Sequence, residues 1–195
     1  VSASVALSAR AGVKVFATGG IGGVHRGAET TGDISADLGA IARHPVVTVS
    51  AGAKAFLDLP RTLEHLEMLG VPVIGFECDE FPAFTVRSSG LALTHHTNDV
   101  AELARIARAQ LAGGSGMLVV TPVPADVALA ADELNAAIDG ALASAAAGGI
   151  TGAAVTPHVL AAIAAATKGD AVRANIALAC NNADLAARLA VALTD

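Results

Sequence analysis

The sequence predicts an α/β fold built on a parallel sheet, and three observations carry that expectation. Apolar and β-branched runs alternate with helical patterns along most of the chain, the connections between them are short, and residues 46–49 form a continuous run of the kind buried on both faces of a sheet. Strands of this sort joined through helices imply right-handed crossovers. At 195 residues the chain suits one domain, with nothing resembling a linker between two cores. Hydrophobic residues make up 53% and aromatic ones only 3%, so the core has to be built from Ala, Val, Leu and Ile.

Taken in order, residues 1–11 read as a half-buried helix stopped by Gly12, and residues 13–17 as the first strand. The chain opens on Val1 in what already reads as a helix, so it is expected to be part of a longer one. Pro45 introduces the second strand at 46–49. A helix with Pro60 in its first turn runs through Leu63, Leu66 and Leu69 to Gly70, and residues 71–76 form the third strand. Residues 77–97 are less regular, a loop ending in a short strand at 91–93. Asn98 is placed to cap a helix over 99–111, residues 117–120 form another strand, and Thr121 to Pro124 turn out of it. Three helices finish the chain, over 132–147, from Thr156-Pro157, and from Asp170 through Asn175, Asn181 and Asn182.

Composition excludes several function classes. A net charge of −6 without any basic cluster argues against a nucleic-acid surface, which needs concentrated Lys and Arg. Residues 140–167 hold no Asp, Glu, Lys or Arg, yet Gly148-Gly149, Gly152 and Pro157 interrupt them; they read as two buried helices joined by a turn, not a membrane span. No basic-then-apolar leader pattern opens the chain. Cys78 and Cys180 lie far apart with no metal-binding spacing, and are expected to be buried, reduced thiols in a cytoplasmic protein.

The chemistry concentrates in residues 15–54. Thr18-Gly-Gly-Ile-Gly-Gly-Val-His25 follows a strand, and a glycine run there lets backbone N–H groups approach an anion; it would serve equally as a tight turn between packed elements. It matches neither the Walker A pattern nor the dinucleotide fingerprint, which leaves a nucleotide-binding domain poorly supported. Asp33 and Asp37, four apart, converge if their segment is helical, which would suit Mg²⁺ or Mn²⁺; otherwise Asp33 caps a helix and Asp37 is solvated. Lys14, Lys54 and Lys168 are the only lysines, and Lys54 sits among small residues just past a buried strand. An apolar setting there lowers an amine's pKa and frees it to attack a carbonyl, whereas a snorkelling side chain at a helix start would do neither. Asn175 and Asn182 share a helix face, aimed either at a site or at a hydrogen bond between helices.

FATGGIGGVHRG, DISADL, AGAK, TLEHLEMLGVPVIGF, DEFPAF, VTPHVL and ANIALACNNADLAA, in this order, resemble the pseudouridine-5'-phosphate glycosidase family, also called indigoidine synthase A-like. The resemblance implies a three-layer α/β/α fold with a largely parallel or mixed central sheet. It implies reversible cleavage of the C–C glycosidic bond of pseudouridine 5'-phosphate to uracil and ribose 5-phosphate, with Mn²⁺ or another divalent ion such as Mg²⁺, in a homotrimer. By motif position Lys54 is the imine-forming lysine and Asp33 the metal-linked aspartate. Val1, Thr18, His25, Ser35, Ala36, Asp37 and Asn175 fall on positions that contact substrate. The family also carries an upstream stretch with a proton-donor glutamate and a second lysine, so the chain alone is expected to be inactive. Smaller departures are Thr94, His96, Asn98, Thr121 and Ala153. The alternative is a non-catalytic sugar-phosphate-binding module that keeps the glycine loop.

Overall fold

The computed structural model describes residues 1–194; the side chain of Ala153, one of the departures noted above, lies outside that description. Five strands, β1 (Val15–Ala17), β2 (Val47–Ser50), β3 (Val73–Phe76), β4 (His95–Thr97) and β5 (Met117–Val120), form one sheet in the order β1-β2-β5-β3-β4. Every pair in it is parallel, with Val47 opposite both Val15 and Met117, and Ile74 opposite Val119 and His95. The central strands β2 and β5 are buried at all four positions, as their apolar and β-branched runs require.

Helices cover both faces, which makes three layers. On one face Leu118 and Val120 pack with Leu38 and Ile41 of α3 (Ala36–Arg43), Leu66 of α4 (Leu59–Met68), Ile138 of α6 (Ala131–Ala147) and Val159 of α7 (Val155–Ala166). On the other, Val47, Val49, Met117 and Val119 meet Leu103 and Ala107 of α5 (Val100–Ala112) together with Leu185 and Leu189 of α8 (Asp170–Ala192). The alternating side-chain direction of a strand splits the core in this way. The remaining helices are α1 (Ser2–Arg10) and a short α2 (Ala28–Thr31).

Several expectations need correction. The stretch 91–93 makes only a bridge, between Glu80 and Ala92, and the paired strand is β4. Its exposed His95 and His96 carry no core signal because β4 is an edge strand. The cap of α5 is Asp99, whose carboxylate accepts the Ala101 N–H at 2.9 Å, and not Asn98. The helices within 140–167 are amphipathic, with Leu134, Ile138, Ala141 and Ala145 buried on α6 and Val159 and Ile163 on α7. Alanine reads as apolar yet tolerates water, so an uncharged Ala-rich run overstates burial. Cys180 is exposed, and only Cys78 is shielded. No helix of the described residues is long and apolar enough to cross a membrane.

Candidate functional site

In an all-parallel sheet the strand exits line up along one edge, where the backbone departs and a crevice opens. Here the β1 exit carries the glycine loop, the β2 exit carries residues 51–54, and the β5 exit carries Thr121. The sequence thus delivers its densest chemistry to a single end of the sheet.

The β2 exit is bent by Gly52, which has φ +71°, and a Cβ there would stand 1.9 Å from the Pro82 carbonyl oxygen. Only glycine satisfies both conditions. Beyond it the Lys54 N–H donates to the Ile21 carbonyl at 3.2 Å, and the Lys54 carbonyl accepts from Leu57. The Lys54 backbone is therefore clamped to the glycine loop. Burial lowers the pKa of its amine below the ordinary lysine value, partly opposed by the negative charge of Asp37.

Asp37 lies in the first turn of α3, whose N-cap is Ser35, the Ser35 hydroxyl accepting the Asp37 N–H at 3.2 Å. Its carboxylate accepts N–H groups from Ser2 at 2.8 Å and Gly22 at 2.9 Å, and the Val1 nitrogen lies 3.5 Å away. Asp37 is 9% exposed, anchored rather than solvated. Asp33 precedes α3 and neither caps it nor shares a helical face with Asp37. Its carboxylate instead lies 3.8 Å from His25 Nδ1, while its carbonyl accepts the His25 N–H. The expected carboxylate pair is therefore two separate groups, Asp37 turned toward Gly22 and Asp33 toward His25.

The glycine loop is mostly packed, not open. The N–H groups of Ile21, Gly22, Val24 and His25 already donate to Gly52, Asp37, the Thr62 hydroxyl and Asp33. A Cβ on Gly22 would meet the Ser35 hydroxyl at 2.3 Å, so that glycine serves close approach of the backbone to α3. Only the two ends of the loop, Thr18-Gly19 and His25, stay partly exposed, and the N–H groups of Thr18 and His25 are already taken, by Val49 and Asp33. His25 packs its ring at a 53° tilt to Phe56, with centroids 6.3 Å apart. Together with Asp33 these rings line a cleft of about 620 Å³ whose far wall is Leu142, Ile150 and Val155 of the α6–α7 region.

Ala36 is exposed at the start of α3, and Asn175 is exposed on α8 beside Gly19. Sequence reasoning left Asn182 open between a site and a hydrogen bond between helices; it is fully buried, and its amide donates to the β1 exit instead, to the carbonyls of Thr18 at 2.7 Å and Gly19 at 3.2 Å. Phe56 and Phe84 were not singled out at all, although Phe84 donates its N–H to Ala51 at the β2 exit. Beyond the rarity of aromatic residues in this chain, Phe84 had one signal, as the last residue of DEFPAF, and Phe56 had none. Thr121 is buried next to Asn181 at the β5 exit, whereas Thr94, His96 and Asn98 are exposed along β4, the edge furthest from β1. Among the described residues no group of three or more His, Cys, Asp and Glu is close enough to hold a metal ion.

The model of the family described as indigoidine synthase A like protein matches residues 1–192. The chain belongs to that family. This indigoidine synthase A-like chain is 50% identical over 195 residues to the pseudouridine-5'-phosphate glycosidase of Herpetosiphon aurantiacus, covering 99% of its own length and 64% of that protein's. Against the pseudouridine-5'-phosphate glycosidase of Gemmatimonas aurantiaca the identity is 54%, over 100% of this chain and 64% of the relative. Among solved structures it is similar to the prealnumycin C-glycosynthase AlnA in complex with ribulose 5-phosphate, with a TM-score of 0.91 and 38% identity over 97% of this chain and 63% of that one. An indigoidine synthase A-like protein from Thermotoga maritima gives a TM-score of 0.90 at 34% identity, over 100% of this chain and 64% of that one. The indigoidine synthase A-like chain thus spans a little under two thirds of the length of these relatives.

Proposed function

We propose that this chain carries the imine-forming lysine of a pseudouridine-5'-phosphate glycosidase, which cleaves its substrate reversibly to uracil and ribose 5-phosphate. The observation that carries the reading is Lys54: a partly buried amine of lowered pKa, fixed at a strand exit by a bend that only glycine allows. A neutral amine adds to the C1 aldehyde of ring-opened ribose 5-phosphate and water leaves; uracil C5 bonds to that imine carbon in synthesis, and in cleavage the Lys54 nitrogen lone pair re-forms the imine as the C–C bond breaks, its electron pair leaving on uracil C5 to take up a proton. The names of the related glycosidases, and a structural neighbour holding a pentulose phosphate, support that substrate class.

The other residues take supporting roles. Thr18, His25 and Asn175 face the open ends of the glycine loop and would bind the sugar phosphate, with Val1, Ser35, Ala36 and Asp37 bordering it. Asp33 is one partly exposed carboxylate, and alone it would hold Mn²⁺ or Mg²⁺ only as an ion keeping most of its waters. Such an ion supplies charge compensation for the phosphate when bound. The reading includes a homotrimer in the cytoplasm, checked by sedimentation and by fractionation. A packed glycine loop gives no support to a module that merely keeps a phosphate cradle.

The test uses the full-length protein. Uracil release from pseudouridine 5'-phosphate with Mn²⁺, and borohydride trapping of ribose 5-phosphate on Lys54, are expected, and Lys54→Ala is expected to reduce both to background. Normal turnover by Lys54→Ala would sink the mechanism.

A further inference from the structure

We propose that Asn182 is a positioning residue of the sugar-phosphate site, fastening the β1 exit to α8 so that Thr18 and Gly19 stand at a fixed distance from Asn175. The inference rests on the sugar-phosphate reading given above. Asn182 is 0% exposed, and its Nδ2 bridges two consecutive carbonyls, Thr18 at 2.7 Å and Gly19 at 3.2 Å. That orientation of the amide is forced. Flipped, its oxygen would face two carbonyl oxygens with no proton between them.

Both carbonyls converge on the one amide nitrogen, and without it the Thr18 carbonyl loses that partner while Gly19 keeps only the Ala51 N–H. Two turns of helix separate Asn182 from Asn175, so one face of α8 presents both to the loop. A Cβ on Gly19 would stand 3.0 Å from Asn175 Oδ1 and 3.3 Å from Leu178 Cδ1, which shows how closely the helix lies against the exit. Gly19 also accepts the Ala51 N–H at 2.9 Å, so the carbonyl that Asn182 holds is shared with the β2 exit.

Lys54 has its own restraints, its N–H on Ile21 and the Gly52 bend against Pro82, and neither involves Asn182. Among the described residues Thr18 has, besides the Asn182 bond, only its N–H on Val49. Loss of the Asn182 amide should therefore loosen sugar-phosphate binding while sparing imine formation at saturation. A residue that merely stabilises the fold gives no such split.

The experiment measures the Kd of ribose 5-phosphate and the borohydride trapping rate at saturating ribose 5-phosphate, for full-length wild type, Asn182→Leu and Leu189→Ala. Leu189 is buried on the same helix away from the loop and controls for destabilisation. Asn182→Leu is expected to weaken binding about tenfold, the scale of the two buried hydrogen bonds lost, with trapping at saturation unchanged. Leu189→Ala is expected to bind as wild type does. Should Asn182→Leu not fold, Asn182→Ser, too short to bridge both carbonyls, reads the same effect. Wild-type affinity in the folded Asn182 variant, or equal weakening in Leu189→Ala, overturns the inference and leaves the functional reading standing. A wild type that binds no ribose 5-phosphate overturns both.

Discussion

Lys54 is destabilising in the folded chain for the same reason that it is reactive. Its folded pKa is lowered from 10.5 by burial, so below that lowered value the folded state holds a charge that the unfolded state holds more cheaply. Between the lowered value and 10.5 the unfolded chain binds more protons, and stability rises with pH through that window. Lys54→Met is accordingly expected to raise the Tm at pH 7, with the gain shrinking as the pH approaches 10.5; a gain independent of pH would show that packing and not charge is responsible. Cys78 illustrates the opposite use of burial, which pushes its thiol up to about 11 and leaves it unreactive. A thiol reagent at neutral pH is expected to label exposed Cys180 quickly and Cys78 only on unfolding. At this scale the sequence was informative about Lys54, through rarity and small neighbours. It could not separate Asp33 from Asp37, because which carboxylate turns inward depends on the N–H groups of Ser2 and Gly22, distant in the chain.

Among the elements, the bend at the β2 exit concentrates the steric demand of the site. Gly52→Ala forces a left-handed backbone and a collision with the Pro82 carbonyl, while Gly149→Ala meets the first problem only, with nothing within 4 Å. Gly52→Ala is therefore expected to cost well over the ~1 kcal/mol of a simple left-handed glycine, and Gly149→Ala about that much, by urea unfolding. Equal losses would mean that the loop around Pro82 yields. Loss of the Ser35 cap by Ser35→Ala should cost about 1 kcal/mol. The element-scale reading was good where periodicity was long, as in α4, α5 and α8, and poor where it was short. Helix α3 has eight residues and its start was left open, Asp33 standing either inside a helix or as its cap, and β4 has three residues that carry no core pattern.

At the scale of the whole molecule, the alternation of strands and helices was enough for a parallel sheet, and the motif order was enough for the family. The packed state of the glycine loop was not legible, since the groups that occupy its N–H donors come from Gly52, Asp37 and Thr62, up to 38 residues away. Local sequence announces a flexible turn, and tertiary structure decides what fills it.

The bond from Asn182 to Thr18 joins residues 164 apart. During synthesis the β1 exit therefore leaves the ribosome long before the helix that fastens it, and contacts of such separation form late. In a refolding reaction followed by pulsed hydrogen exchange, protection of the Ala51 N–H on Gly19 should mature with α8 and not with the sheet. The newborn protein would then pass through an interval in which its lysine arm is already seated and its sugar-binding rim is still unfastened.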